Sequence, residues 1–155
     1  MAVAERFEAL ESGVFPLTIQ EVAQRSGLSE PTLRYYEKIG LIEHVERDES
    51  SGHRRYGPAV VSRIEALACL RTTGMSVQDM RAYLANLREG NEAAAEMHAL
   101  FERNIERIDA EIERLHTRRE YLRLKGEIWA ARRDGDDEAE KRAVETVVTA
   151  MKALR

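Results

Sequence analysis

One uninterrupted stretch of the chain restricts the fold more than any other feature. From Asn91 to Arg133 there is no proline and a single glycine, Gly126. Both residue types disfavour helix interiors, so this composition predicts one long helix. At 1.5 Å per residue, a helix of about 40 residues would be roughly 60 Å long, which is more than a small domain can cover. The helix is therefore expected to pack against something besides its own domain.

Apolar residues recur along this stretch alternately every four and three positions. The series is Phe101, Ile105, Ile108, Ile112, Leu115 and Leu122, with Trp129 beyond it. This spacing is an a/d heptad repeat, which predicts a coiled-coil seam interrupted at Arg119 and Gly126. A surface helix packed on its own domain is the alternative, but the length favours a homodimer. The spacing alone does not fix whether the two helices run parallel or antiparallel.

Composition narrows the class of protein further. The chain has 155 residues, a net charge of −4 and one cysteine, Cys69. A single cysteine excludes an internal disulfide framework and any zinc site built from several thiolates. The histidines share no metal-ligand spacing: His44, His53, His98 and His116. We find no nucleophile triad, phosphate-binding glycine loop or paired carboxylates, so neither an enzyme nor a metal or cofactor is expected. Without an apolar span or signal peptide, a cytoplasmic protein is expected.

Residues 16–89 carry the signals of a compact unit made of short elements. Thr18 and Glu21 form a capping box at the start of a first helix, and Gly27 suits its left-handed end. Ser29 can cap a second helix that stops at Gly40. Two short helices joined by a tight turn predict a helix-turn-helix.

A small hairpin and two further helices complete the predicted unit. The polar cluster of residues 48–52 lies between two short extended runs, which predicts a β-hairpin, or wing. A third helix is expected from Pro58 to about Thr73, and a fourth from Val77 to Leu87. The expected organisation is a leader at residues 1–15, the winged unit at 16–89, the long helix at 90–133 and an amphipathic C-terminal helix within 134–155.

Three segments in this order carry a resemblance to a known family. They are Leu17-Thr-Ile-Gln-Glu-Val-Ala, Thr32-Leu-Arg-Tyr-Tyr-Glu and Ser51-Gly52-x-Arg54-x-Tyr56. They resemble the MerR family of transcriptional regulators, and the likeness covers about residues 17 to 130. The resemblance implies a mainly α-helical fold with a winged helix-turn-helix head and an antiparallel dimer of long helices. It also implies binding to a palindromic promoter element in double-stranded DNA, distortion of that DNA, and action on RNA polymerase.

Side-chain chemistry indicates where such a head would contact DNA. Thr32, Arg34 and Tyr35 lie near the start of the second helix, the end that such a motif points into the major groove. Arginines flank the wing turn, and the first helix can receive a phosphate at its start: Arg47, Arg54, Arg55 and Thr18. The resemblance places contacts on Thr32, Arg34, Tyr35 and Arg54, and also on Arg47 and Tyr56. Residues 16–75 hold eight basic and eight acidic residues, so the head is neutral overall.

Cys69 is the one candidate sensor residue. On a helical wheel it lies nearly opposite the apolar face formed by Val60, Ile64, Leu67 and Ala68. A core cysteine would be expected on that face, so Cys69 is either exposed or pressed against another element. The run Cys69-Leu-Arg-x-x-Gly-Met-Ser resembles a branch of the family that responds to aldehydes, electrophiles or nitrosative stress through one cysteine. Inert packing is the alternative. An architectural or excisionase-like DNA-binding protein without a sensor is the alternative function.

Overall fold

The computed structural model describes residues 16–154, so the predicted leader at 1–15 lies outside the described residues. The fold is mainly α-helical, as predicted. The helices are α1 (Ile19–Ser26), α2 (Glu30–Lys38), α3 (Pro58–Thr72), α4 (Val77–Glu89), α5 (Ala94–Asp134) and α6 (Asp137–Ala153). The chain divides into two compact units, and the division falls between Leu100 and Phe101, inside α5.

The helix-turn-helix forms as its capping residues predict. The Thr18 hydroxyl accepts a hydrogen bond from the backbone N–H of Glu21, and the Glu21 carboxylate accepts one from the N–H of Thr18. Gly27 ends α1 with φ of 73°, a left-handed conformation that costs glycine little. Ser29 caps α2 by accepting from the N–H of Thr32. Apolar residues of the two helices and of the turn between them form part of the core of the head: Val22, Leu28, Leu33 and Tyr36.

The wing is smaller than the predicted hairpin. Its strands meet at one isolated antiparallel bridge, Arg47 with Arg54, and its turn is closed by the N–H of Asp48 donating to the carbonyl of His53 at 2.8 Å. The segment that leaves the wing pairs with a residue just before α1. Tyr56 and Leu17 exchange two backbone hydrogen bonds of 2.9 Å. The wing is thereby tied to the start of α1 rather than extended as an independent hairpin.

The structure corrects two details of the third helix and the long helix. Val61, rather than Val60, joins Ile64 and Leu67 on the buried face of α3, whereas Cys69 is exposed. The long helix begins at Ala94 instead of Asn91, because a 3₁₀ turn, Gly90–Ala93, follows α4. Gly90 has φ of 67°, which ends the α-helical path at that point.

In the second unit, α6 packs on the C-terminal part of α5. Leu124 and Ile128 of α5 form a buried cluster with Val147 of α6, and Tyr121, Ala143 and Ala150 pack around it. An ion pair between Arg132 Nε and Glu140 Oε1 at 2.5 Å ties the two helices at the end near the turn. The Arg132 guanidinium also lies over the Trp129 ring, 4.9 Å from its centroid.

The predicted seam occupies the other side of α5 from α6. Successive helical residues are about 100° apart, which places the seam residues 101–129 roughly opposite Leu124 and Ile128. Within the single chain much of that seam is exposed to solvent. The exposed fractions are 49% for Ile105, 42% for Ile112, 51% for Leu115, 68% for Leu122 and 63% for Trp129. The chain's own C-terminal helix therefore leaves the seam uncovered.

The structure also corrects the role expected of Tyr56. Its side chain is 1% exposed, so it belongs to the core of the head and offers no surface for a DNA contact. Its hydroxyl is buried without a hydrogen-bond partner among residues 16–154. Burial raises the pKa of the Tyr56 phenol, and the nearby Glu37 carboxylate raises it further. The ring is held in the core by the backbone pairing of Tyr56 with Leu17.

Replacing Tyr56 by phenylalanine tests this assignment. Removing a buried hydroxyl that has no partner is expected to leave the free energy of unfolding unchanged or to raise it by up to about 1 kcal/mol. Chemical denaturation at fixed protein concentration measures the change. A loss of more than about 1 kcal/mol would mean that the hydroxyl has a hydrogen-bond partner in solution, and that the core assignment is incomplete.

Candidate nucleic-acid interface

Helix α2 carries three of the predicted contact residues, of which Thr32 is half-buried. Arg34 and Tyr35 are exposed, and Tyr35 is 51% exposed. Leu33 before them and Tyr36 after them are buried in the core. The Tyr35 and Tyr36 rings lie 6.1 Å apart between centroids, so the buried ring supports the exposed one. One face of α2 is thus fixed by packing while the other carries polar groups outward.

A groove beside α2 brings Thr32 and Tyr35 together with a residue that sequence reasoning did not assign to the interface. Arg71, near the end of α3, donates from Nη1 to Thr32 Oγ1 at 3.3 Å. The groove has a volume of about 410 Å³. Its lining residues are Pro31, Thr32, Tyr35, Tyr36, Arg71, Met75, Val77 and Met80. The local sequence around Arg71 could not predict its place beside α2, because its partner Thr32 lies 39 residues away.

One wing arginine, Arg54, is held against α2. Arg54 Nε lies 2.6 Å from Glu37 Oε2, and both side chains are largely buried, with 21% and 10% exposed. Glu37 belongs to the last turn of α2, so this pair fixes the wing against the recognition helix. Arg47 donates from Nη1 to the carbonyl of Gly52 at 3.2 Å and is otherwise exposed.

Asp48 organises the wing turn and holds Arg55. One carboxylate oxygen accepts hydrogen bonds from the backbone and hydroxyl groups of Ser50 and Ser51, and the other lies 3.3 Å from Arg55 Nη2. The hydrogen bonds from Ser50 and Ser51 hold the pKa of Asp48 well below its usual range. The turn therefore keeps a negative charge at neutral pH beside an arginine predicted to contact DNA.

The start of α1 is already occupied by a carboxylate. Thr18 donates from its hydroxyl to Glu21 Oε2 at 2.8 Å and from its backbone N–H to the same oxygen at 2.7 Å. Hydrogen bonds from the Thr18 backbone and side chain lower the pKa of Glu21. The sequence predicted that a phosphate could bind at this helix start, but the Glu21 carboxylate already accepts the hydrogen bonds of Thr18.

Four of the residues predicted to contact DNA each have an acidic partner in the head. Arg34 pairs with Glu30 at 2.9 Å, Arg54 with Glu37, Arg55 with Asp48, and Thr18 with Glu21. The three arginines are therefore each balanced by a neighbouring carboxylate, in a head with equal numbers of acidic and basic residues. The i,i+4 spacing of Glu30 and Arg34 was a readable signal in the sequence. The partner of Arg54 was not readable, because Glu37 lies in a different element.

The part of the chain that the structure describes has neither a metal-binding cluster nor a membrane-spanning helix. No group of three or more His, Cys, Asp and Glu side chains there could hold a metal ion. None of its helices combines the length and the apolar character needed to cross a membrane.

Comparison with sequence families gives two overlapping matches. The family described as "MerR HTH family regulatory protein" matches residues 17–87, and the one described as "MerR, DNA binding" matches residues 61–124. The first match contains the helix-turn-helix and the wing. The second extends from α3 into α5, so the two together include the whole head and the first part of the long helix.

Two curated proteins illustrate the relatives of this chain. An uncharacterized HTH-type transcriptional regulator of Haemophilus influenzae is 34% identical over 98 residues, which is 63% of this chain and 72% of that protein. The HTH-type transcriptional regulator AdhR of Bacillus subtilis is 39% identical over 75 residues, which is 48% of this chain and 53% of that protein. Both resemblances are to regulators of transcription.

Two crystal structures resemble this fold over most of their length. One is HiNmlR, a MerR family regulator lacking the sensor domain, bound to promoter DNA. It has a TM-score of 0.63 and 30% identity, covering 80% of this chain and 94% of that one. The other is a MerR family regulator from Listeria monocytogenes, with a TM-score of 0.63 and 29% identity, covering 84% and 98%. By its motifs, its fold and these relatives, the chain belongs to the MerR family of DNA-binding transcriptional regulators.

Proposed function

We propose that the protein acts as a homodimer that binds a palindromic promoter element and regulates transcription by distorting the DNA. The observation that carries this proposal is the exposed heptad seam of α5. Five apolar side chains of the seam are 42–68% exposed, while α6 packs on the opposite side of the helix. A water-exposed apolar stripe of this length is costly, and a second copy of the same helix would cover it.

In the proposed complex, α2 enters the major groove. Thr32 and Tyr35 would contact the backbone with their hydroxyl groups, and Arg34 would reach a base edge or a phosphate. Arg47, Arg54 and Arg55 of the wing would lie along the backbone beside it, whereas Thr18 already binds the Glu21 carboxylate. The exposure of Arg34, Tyr35 and Arg47 supports this placement, as does the similarity to a regulator whose crystal structure contains promoter DNA.

A dimer with antiparallel α5 helices would present two heads at a fixed separation. Two-fold symmetry of the protein would then match a palindrome with two half-sites. Because the heads are joined by a long helical seam, binding both half-sites can bend or untwist the DNA between them, and the contacts offset the deformation energy. We propose that this change in DNA shape is what RNA polymerase responds to.

Cys69 is the proposed sensor of this regulator. The thiol is exposed on α3, on the side opposite the buried face. It is the only cysteine in the sequence, so an internal disulfide is excluded and an adduct or a disulfide to another thiol remains. The likeness of its surroundings to the aldehyde- and electrophile-responsive branch of the family is the second support.

Arg34→Ala tests the proposed DNA interface. Loss of a base contact by Arg34 is expected to cost about 1–3 kcal/mol, or roughly a 5- to 150-fold loss of affinity for the operator. Fluorescence anisotropy with labelled DNA from the region upstream of the gene measures the affinity. Arg63→Ala is the matched control, since it removes the same charge from α3, and its change should stay below about threefold. Equal losses in the two variants would contradict the placement of α2 in the groove.

Ile112→Glu tests the proposed dimer seam. A carboxylate at the centre of an apolar seam is expected to shift the protein from dimer to monomer, because burying an unpaired charge is strongly unfavourable. Sedimentation velocity measures the mass. The control is Ala110→Glu, which adds the same charge at an exposed position about 200° away around α5. If Ile112→Glu stayed dimeric, another surface would have to join the two copies.

Cys69→Ser tests the proposed sensor. With the wild type, treatment of cells with formaldehyde is expected to change expression from the regulated promoter, and Cys69→Ser should abolish that change while leaving operator affinity intact. A reporter gene fused to the promoter measures the response, and anisotropy measures the affinity. An unchanged formaldehyde response in the variant would remove Cys69 as the sensor and leave a regulator without a thiol switch.

A further inference from the structure

We infer that Glu30 is a positioning residue that makes Arg34 selective for bases over phosphates. Arg34 Nη2 donates to Glu30 Oε2 at 2.9 Å, one helical turn earlier on the same exposed face of α2. The side chains are 50% and 31% exposed, so the pair is formed at the surface that the proposed function turns toward DNA. The inference rests on that placement of α2 and adds a role for its acidic residue.

The geometry leaves Arg34 able to make a second, simultaneous interaction. A guanidinium carries five N–H donors in a rigid plane, and Glu30 occupies only Nη2. Within residues 16–154 Arg34 makes no other hydrogen bond, so its other donors remain available to a bidentate acceptor such as a guanine edge. By restricting the rotamers of the long side chain, Glu30 reduces the conformational entropy that Arg34 would lose on reaching a base.

The charge of Glu30 also raises the ratio of operator affinity to non-operator affinity. On DNA without the operator, Arg34 can contribute only as a cation near phosphates, and the carboxylate beside it cancels most of that attraction. On the operator, the hydrogen bonds to a base edge depend on orientation, which the pair maintains. Glu30 therefore disfavours indiscriminate binding while it preserves the specific contact.

Glu30 differs from the other acidic partners in the head because, among residues 16–154, its hydrogen bond is to Arg34 alone, although its charge also lies in the first turn of α2. Glu37 is 10% exposed and fixes the wing, Asp48 closes the wing turn, and Glu21 caps α1. Among the described residues, the bond to Arg34 is the one that Glu30 makes, while Ser29 caps α2. Glu30→Gln should therefore alter binding while the head loses only the favourable charge at the start of α2.

Glu30→Gln is the direct test, because it removes the charge and keeps the side-chain length. The ratio of operator affinity to non-operator affinity is expected to fall about three- to tenfold, with most of the change in tighter non-operator binding. Anisotropy at one salt concentration with both DNAs gives the ratio. Glu43→Gln is the matched control: it breaks the Glu43–Arg63 pair, of 2.6 Å, whose residues are outside the proposed contact set. A ratio within about twofold of the wild type for Glu30→Gln would overturn the inference.

A double-mutant cycle separates action through Arg34 from direct action of Glu30. If Glu30 works by positioning Arg34, the effect of Glu30→Gln on the ratio of operator affinity to non-operator affinity should vanish in the Arg34→Ala background. The same effect with and without Arg34 would mean that Glu30 contacts DNA itself, which contradicts the inference. If Arg34→Ala alone spares operator binding, the placement of α2 fails and the inference fails with it. A loss with Arg34→Ala but no effect of Glu30→Gln overturns the inference alone.

Discussion

Helix α5 has two apolar faces, and within residues 16–154 the chain covers one of them. Leu124 and Ile128 are buried by Val147 of α6, whereas the heptad residues on the opposite side remain exposed. Apolar burial is the main favourable term in folding and association, so a stripe of this size points to a partner with the same periodicity. The proposed dimer, the two heads and the palindromic site all follow from that uncovered face.

The head resolves an apparent conflict between its composition and its function. A neutral unit is expected to bind DNA weakly, yet four of the seven arginines in residues 16–75 lie on α2 and the wing. The structure places a carboxylate against each of Arg34, Arg54 and Arg55, so the cations are oriented by the protein before DNA arrives. Such pairing lowers the general attraction to phosphates, and it leaves selectivity to the geometry of the contacts.

Much of this fold could be predicted because its signals are local. The capping residues Thr18 and Ser29 mark the starts of α1 and α2, and the absence of proline marks α5. The features that escaped prediction depend on partners far along the chain. Tyr56 is buried because its backbone pairs with Leu17, and Arg71 reaches Thr32 only once α3 has packed beside α2. The order of residues along the chain does not show these contacts, because their partners lie far apart in sequence. The wing residue Arg54 was predicted to contact DNA, but its buried partner Glu37 appears only in the folded structure.

The spacing of the two half-sites tests the central claim most directly. If two heads are held at a fixed separation by the α5 seam, inserting about five base pairs at the centre of the palindrome rotates one half-site by half a turn of DNA. The account predicts that affinity for the altered operator falls to that for a single half-site, and that inserting about ten base pairs does not restore it. Equal affinity for the original operator and for the operator with five added base pairs would contradict a rigid dimer.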